Sequence, residues 1–225
     1  MDNIFEAGVE TLRQKLLLMA SRAGASVSDS VLSLLQRDLD LALKVRQDDK
    51  LIDQCEVEID ELAVQLLTQA PLAVHLRSVT VVMKIAQNLE RIGDEAAKIA
   101  KRARDLAKEP PVSLPADLPR LAAFTLAMLN DALDAFVNRD SAAARTVILR
   151  DPEADAIHRQ IQAVLMQHMA EHPDTIPRCL HWMTAAKSLE RIADHATNIA
   201  EEVVYLCEAQ DIRHSGFKHS APANT

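Results

Sequence analysis

Eight acidic side chains, arranged as four pairs, are the residues of this chain whose types and spacing suit them to chemistry. The members of each pair are four residues apart, and the pairs are Asp49 with Asp53, Glu90 with Asp94, Asp151 with Asp155, and Glu190 with Asp194. Residues four apart share a face of a helix, so each pair can present two carboxylates to one cation. Carboxylates without compensating charge repel one another, and a multivalent cation relieves the repulsion.

Oxygen ligands of this kind suit Mg²⁺, Ca²⁺, Mn²⁺ or ferric iron. A nearby histidine, His158 or His195, would add affinity for zinc or iron. The alternative is a solvated helix face on which Arg91 and Arg191 balance the carboxylates, because acidic pairs at this spacing are common on exposed helices. The residue pattern alone leaves both interpretations open.

The second and fourth pairs lie in a segment that occurs twice in the chain. Residues 88–101 match residues 188–201 at Leu, Glu, Arg, Ile, Asp, Ala, Ile and Ala, and the first and third pairs correspond at an offset of 102. Positions 95, 98 and 101, which we expect to be exposed, change from Glu, Lys and Lys to His, Asn and Glu in the second copy. The acidic pair and its arginine are kept, which favours a functional role for the carboxylates.

The composition indicates an all-α protein. Of the 225 residues, 48% are hydrophobic, only 3% are aromatic and four are glycine, so strand formers and turn residues are scarce. In the repeated segment, apolar residues alternate at spacings of four and three, as at Ile85, Leu89, Ile92 and Ala96. This spacing is typical of a helix packed along a coiled-coil-like seam.

Similar periodic segments precede each copy, so we predict two tandem, pseudo-symmetric three-helix bundles built from six long antiparallel helices. The first bundle comprises residues 1–108, with helices near 3–36, 38–69 and 73–108. The second comprises residues 117–213, with helices near 117–138, 140–171 and 174–211.

Prolines set the remaining boundaries. We predict a proline-rich linker at residues 109–116, because proline lacks the amide donor that a helix needs, and a disordered tail at residues 214–225. Pro152 falls inside the fifth predicted helix, where it should kink the helix or restart it with Asp151 as the N-cap.

Several functional classes are excluded by charge and hydropathy. The formal net charge is −8 and no basic tract is present, so direct nucleic-acid binding is not expected. The first residues lack the basic and apolar regions of a signal peptide, and no stretch of about 18 apolar residues occurs, which predicts a cytoplasmic protein without membrane insertion. Cys55, Cys179 and Cys207 have no spacing that indicates a disulfide framework or a thiolate zinc site.

The sequence does not indicate an enzyme, because it contains no nucleophile–base pair and no glycine-rich phosphate loop. A diiron or metal-storage bundle would use a Glu-x-x-His motif directed into the core, and Glu90 and Glu190 are followed at the third position by Gly93 and Ala193. A metal-dependent hydrolase would require a sheltered cleft with an open coordination position, which the sequence does not indicate.

Two segments, LERIGDEAAKIAKR at residues 89–102 and SLERIADHATNIAEEVVYL at residues 188–206, resemble the paired signature of the PhoU family of phosphate-signalling regulators. The Arg37-Asp38-Leu39 sequence that enters the second helix and the Asp49 and Asp53 pair are also similar to the family. The resemblance covers nearly the whole chain except the tail.

The resemblance implies two similar three-helix bundles whose surface carboxylates, the eight residues named above, bind multinuclear iron or zinc, with Mg or Mn as other candidates. It also implies a cytoplasmic negative regulator of the phosphate regulon, an adaptor between the phosphate-specific ABC transporter and the phosphate-sensing histidine kinase. A homodimer is a further expectation from the resemblance.

Two other functions remain open at this point. One is a PhoU-like paralogue that controls phosphate uptake, polyphosphate metabolism or persistence without a kinase. The other is a metal-binding helical-bundle protein without a role in phosphate signalling.

Overall fold

The computed structural model describes residues 2–70, 72–111 and 117–213 of the chain, with side chains from residue 5 onward. Within these ranges the chain is helical, with turns and short connections but no strand. The helices are α1 (Asp2–Gln36), α2 (Leu39–Leu67), α3 (Ala73–Leu106), α4 (Leu118–Asn138), α5 (Ser141–Ile148), α6 (Asp151–Glu171) and α7 (Ile176–Glu208), with a 3₁₀ turn at Pro173–Thr175. The predicted all-α fold is confirmed, whereas the predicted tail and residues 112–116 of the predicted linker lie outside the described residues.

Helices α1, α2 and α3 pack against one another as the first bundle. The apolar residues that recur every seven positions on α2, namely Val45, Ile52, Ile59 and Leu66, are all buried, as their spacing predicts. Asp38 begins α2 as its N-cap, because its side chain accepts a hydrogen bond from the backbone amide of Leu41 at 2.9 Å.

The second bundle contains α4 to α7, because the fifth predicted helix is divided into α5 and α6. The predicted restart at Pro152 is confirmed: proline occupies the first turn of α6, where a missing amide donor costs nothing. The predicted N-cap is wrong, since Arg150 precedes the helix and Asp151 is its first residue. The Asp151 carboxylate instead accepts a hydrogen bond from Thr197 Oγ1 of α7 at 3.1 Å.

The two bundles join where α3 and α7 pack against each other, and their buried apolar residues form one continuous core. The two helices are antiparallel, because residues later in α3 contact residues earlier in α7. The contacts that establish this register are Lys84 with Glu202, Asn88 with His195, Glu95 with Arg191, and Arg102 with His181. Among the described residues, no helix combines the length and apolar character that a membrane crossing requires.

This packing buries charged side chains that the sequence predicted to be exposed. Glu95 and Glu201, at repeat positions 95 and 101, are both buried, so the predicted exposure is wrong for these two glutamates, whereas it is confirmed for Lys98, Lys101 and Asn198. Burial opposes ionisation of Glu95, but hydrogen bonds from Lys98, Ser188 and Arg191 outweigh it and lower the pKa of Glu95. A buried carboxylate therefore joins the two bundles.

Replacing Leu89 by Ala should reduce the free energy of unfolding by about 2–5 kcal/mol, because removal of this fully buried side chain leaves a cavity in the protein core beside α3. The matched control is Leu18→Ala on α1, whose side chain is 52% exposed and whose loss should change stability by less than about 1 kcal/mol. Urea unfolding followed by circular dichroism measures both variants. Equal losses would contradict the described packing.

Candidate metal-binding clusters

Cluster 1 is formed by Asp49, Asp53 and Glu56 on α2 together with Glu90 and Asp94 on α3. The charges of Asp53 and Asp94 act on Asp49, and those of Asp94, Glu56 and Asp53 act on Glu90. The structure thus brings together all four predicted residues of the first bundle and adds Glu56. Glu56 was not among the residues predicted from the sequence, although its spacing was a usable signal: Glu56 follows Asp49 by seven residues and so lies on the same face of α2.

A glycine allows α2 to approach α3 closely at cluster 1. A Cβ atom at Gly93 would lie 3.0 Å from Ile52 Cδ1 and 3.2 Å from Asp49 Oδ1, closer than such atoms usually pack. The position is occupied by Ala193 in the second repeat. Because Gly93 has no side chain, the Asp49 carboxylate has room to pack against the backbone of α3.

Cluster 1 carries partly uncompensated negative charge. Burial, with the neighbouring charges of Asp53 and Asp94, raises the pKa of Asp49 to about 6, and its Oδ1 is buried without a hydrogen-bond partner among the described residues. Arg91 provides local compensation, since its Nε lies 3.2 Å from Glu90 and its Nη1 lies 3.6 Å from Asp94. Burial also raises the pKa of Glu90.

Cluster 2 is formed by Asp151, Asp155 and His158 on α6 together with Glu190 and Asp194 on α7. The charges of Glu190, Asp151 and Asp155 act on Asp194, so all four predicted residues of the second bundle also come together. His158 occupies the position of Glu56 at the repeat offset of 102.

The exposure expected for the glutamates is wrong. Glu190 is only 9% exposed and Glu90 is half-buried, because α3 and α7 pack against their own bundle and against each other. A helix with neighbours on several sides offers only narrow solvent-facing strips. Asp194 keeps an exposed side chain at the edge of such a strip.

Cluster 2 is compensated differently from cluster 1. Lys187 Nζ donates to both carboxylate oxygens of Glu190, at 2.6 and 2.5 Å, and the first repeat has Gln87 at this position. Arg191 pairs with Glu95 across the α3–α7 junction at 3.2 Å, so the predicted pairing of both arginines with their own acidic pair holds only for Arg91.

Asp194 and His158 carry the perturbed pKa values of cluster 2. Although Asp194 reaches solvent, partial loss of hydration, followed by the charges of Glu190, Asp151 and Asp155, raises its pKa to about 6. Burial lowers the pKa of His158, which favours the neutral imidazole.

The residues of both clusters suit a metal ion chemically, because carboxylate oxygens are hard ligands and their negative charge is only partly compensated by neighbouring cations. Within the described ranges, however, no three His, Cys, Asp or Glu side chains converge as a ready coordination shell. Metal binding at either cluster would therefore require carboxylates of the two helices to turn toward a shared point.

Comparison with protein-family models finds the PhoU domain twice in this chain, at residues 16–103 and 118–203. The phosphate-specific transport system accessory protein PhoU homolog of Pseudomonas putida is 39% identical over 222 residues, which cover 95% of this chain and 84% of the relative. The phosphate-specific transport system accessory protein PhoU of Escherichia coli K12 is 36% identical and covers 94% of this chain, with 88% of its own length matched.

Two solved structures have similar folds. The crystal structure of PhoU from Pseudomonas aeruginosa matches with a TM-score of 0.87 and 38% identity, covering 92% of this chain and 100% of that one. The phosphate transport system regulatory protein PhoU from Streptococcus pneumoniae matches with a TM-score of 0.86 and 28% identity, covering 92% of this chain and 98% of that one.

The raised pKa of Asp194 predicts a specific dependence of stability on pH. An unfolded aspartate has a pKa of about 3.9, so between that pH and about 6 the folded protein binds the proton more tightly and stability falls as pH rises. Asp194→Asn removes this effect. In chelator-treated protein, wild type should gain up to about 1 kcal/mol more than the variant between pH 7 and pH 5, after allowance for solvent screening.

Urea unfolding of both proteins at the two pH values measures this difference. A stability difference between wild type and Asp194→Asn that is the same at pH 5 and pH 7 would contradict the raised pKa of Asp194 and thus the effect of its burial and of its carboxylate neighbours.

Proposed function

This chain belongs to the PhoU family, and we propose that it is a cytoplasmic negative regulator of the phosphate regulon. In this role it is an adaptor between the phosphate-specific ABC transporter and the phosphate-sensing histidine kinase. The observation that carries the proposal is the match of the family to both repeats, together with relatives that cover about 95% of the chain.

The names of the relatives support the transporter as a partner. The Pseudomonas putida and Escherichia coli relatives are named accessory proteins of the phosphate-specific transport system, and the Streptococcus pneumoniae structure is named a regulatory protein. These names also support a role without catalysis. The kinase partner and a homodimeric state rest on the resemblance of the repeated helix segments to the family.

We also propose that clusters 1 and 2 bind metal ions, with iron and zinc as the first candidates and Mg or Mn as further ones. The support is physical: each cluster draws carboxylates from two helices. Burial, together with repulsion between neighbouring carboxylates, raises the pKa of Asp49 and Asp194, and a cation would offset both effects. In a regulator, such an ion would hold α2 to α3 and α6 to α7 by charge.

Deleting the gene in the organism that encodes it should raise alkaline phosphatase output during growth with ample phosphate, because a negative regulator has been removed. Restoring the wild-type gene should return the output to its original level. Phosphatase activity per cell measures the effect. A strain restored with the destabilised Leu89→Ala variant shows how the output depends on the amount of folded protein.

Unchanged phosphatase output after deletion would contradict the regulator and favour the paralogue. In that case phosphate uptake, polyphosphate content and survival under stress distinguish the remaining functions. A change in those three properties without a change in phosphatase output is the pattern expected for a paralogue that acts without the kinase.

The metal proposal predicts that purified wild-type protein, stripped with chelator and reloaded, retains metal that an Asp94→Ala, Asp194→Ala variant does not. Together, the two substitutions remove one carboxylate from each cluster. The matched control is Asp40→Ala, Asp134→Ala, which removes two exposed aspartates that lie outside both clusters.

Metal content per chain after desalting, measured by elemental analysis, decides the outcome. Equally little metal in wild type, the cluster variant and the control would refute the metal-binding proposal and leave the clusters as solvated carboxylates.

A further inference from the structure

The two clusters differ at one position whose side chain interacts electrostatically with the carboxylates. Glu56 in cluster 1 and His158 in cluster 2 correspond in the internal repeat, at an offset of 102. Glu56 is partly exposed, whereas His158 is only 6% exposed. The internal duplication therefore puts a carboxylate in one cluster and a buried imidazole in the other.

The imidazole of His158 has a nitrogen that the surrounding protein does not use. Its Nε2 is buried and has no hydrogen-bond partner among the described residues. A buried polar atom without a partner is costly, so it calls for an explanation such as a bound ligand. The carboxylates whose charges act on this ring are Glu190 and Asp155, both members of cluster 2.

The donor types of the two clusters suit different metal ions. Cluster 1 offers only carboxylate oxygens, which suit hard ions such as Mg²⁺ and Mn²⁺. Cluster 2 adds an imidazole nitrogen to its carboxylates, and imidazole raises affinity for zinc and other late first-row ions relative to hard ions. A nitrogen donor at this one position therefore increases the preference for zinc over manganese.

We infer that the two clusters differ in metal selectivity: cluster 2 binds zinc or a similar transition-metal ion with His158 as a nitrogen ligand, whereas cluster 1, which has no nitrogen ligand, prefers zinc over a hard ion such as Mn²⁺ far less strongly. This inference rests on the metal binding proposed above and goes beyond it. It assigns His158 a specificity-determining role that Glu56 does not have.

Lys187 makes cluster 2 selective in a second way. Its ammonium group already satisfies both oxygens of Glu190, so an entering ion must displace it. A weakly held hard ion competes poorly with this contact, whereas an ion also bound by imidazole competes better. Cluster 1 has Gln87 at this position, and its competing cation is Arg91, whose Nε lies at a longer distance of 3.2 Å from Glu90.

The test uses full-length, metal-free protein titrated separately with Zn²⁺ and Mn²⁺ in a calorimeter. Each cluster is isolated by disabling the other, with Asp94→Ala leaving cluster 2 and Asp194→Ala leaving cluster 1. We expect the Asp94→Ala protein to bind Zn²⁺ more tightly than it binds Mn²⁺. The zinc preference of the Asp194→Ala protein should be at least about tenfold smaller.

Adding His158→Gln to the Asp94→Ala protein should weaken Zn²⁺ binding by about 10- to 100-fold and leave weak Mn²⁺ binding little changed. The matched control is His168→Gln, because His168 lies on the same helix and also has a buried Nε2 without a partner among the described residues, but it lies outside cluster 2. Co²⁺ as a probe adds a spectroscopic measurement, since loss of a nitrogen ligand changes its visible absorption.

Equal Zn²⁺ affinities in the His158→Gln and His168→Gln proteins would overturn the inference while leaving the proposed metal binding intact. No binding of either ion to wild-type protein would overturn both, and the alkaline phosphatase measurement would still decide the regulatory function. If His158→Gln does not fold, Glu56→His decides instead: in the Asp194→Ala protein it should raise Zn²⁺ affinity at cluster 1, and no gain would overturn the inference.

Discussion

The antiparallel packing of α3 against α7 is the constraint on which the rest of the structure depends. Each of these helices packs against the other helices of its own bundle on one side and against its repeat partner on the other. Apolar and small residues must therefore cover most of their circumference, as at Ile92, Ala96 and Ile192, which are all buried. Polar side chains are confined to narrow strips, and the two candidate clusters lie along those strips beside α2 and α6.

The same packing explains why two copies of one motif have different electrostatic surroundings. Arg91 stays beside its own acidic pair, whereas Arg191 crosses the junction to the buried Glu95. Glu190 receives Lys187 in place of the arginine. The two sides of the junction are not equivalent, because residues that differ between the copies, such as Glu95 and His195, interact electrostatically across it. This asymmetry gives the clusters different charge balances and different donor atoms.

Both clusters are attached to the pair of helices that joins the bundles. An ion held between α2 and α3, or between α6 and α7, would act on the elements that fix the arrangement of the two halves. A regulator that contacts two partners needs such a connection between its surfaces, because differential binding must change a shared structural element. The position of the carboxylates in the fold is therefore compatible with regulation as well as with a purely structural ion.

The sequence by itself determined the helices, the duplication and the acidic pairs, because these depend on local spacing that repeats every three to four residues. It also determined the break at Pro152, since a missing amide donor acts locally. The exposure of Glu190, the partner of Arg191 and the burial of His158 were decided only by the tertiary structure. These properties depend on which helices meet: residues about 100 positions apart in the sequence share the α3–α7 junction, and no local pattern specifies that contact or the charges that it buries.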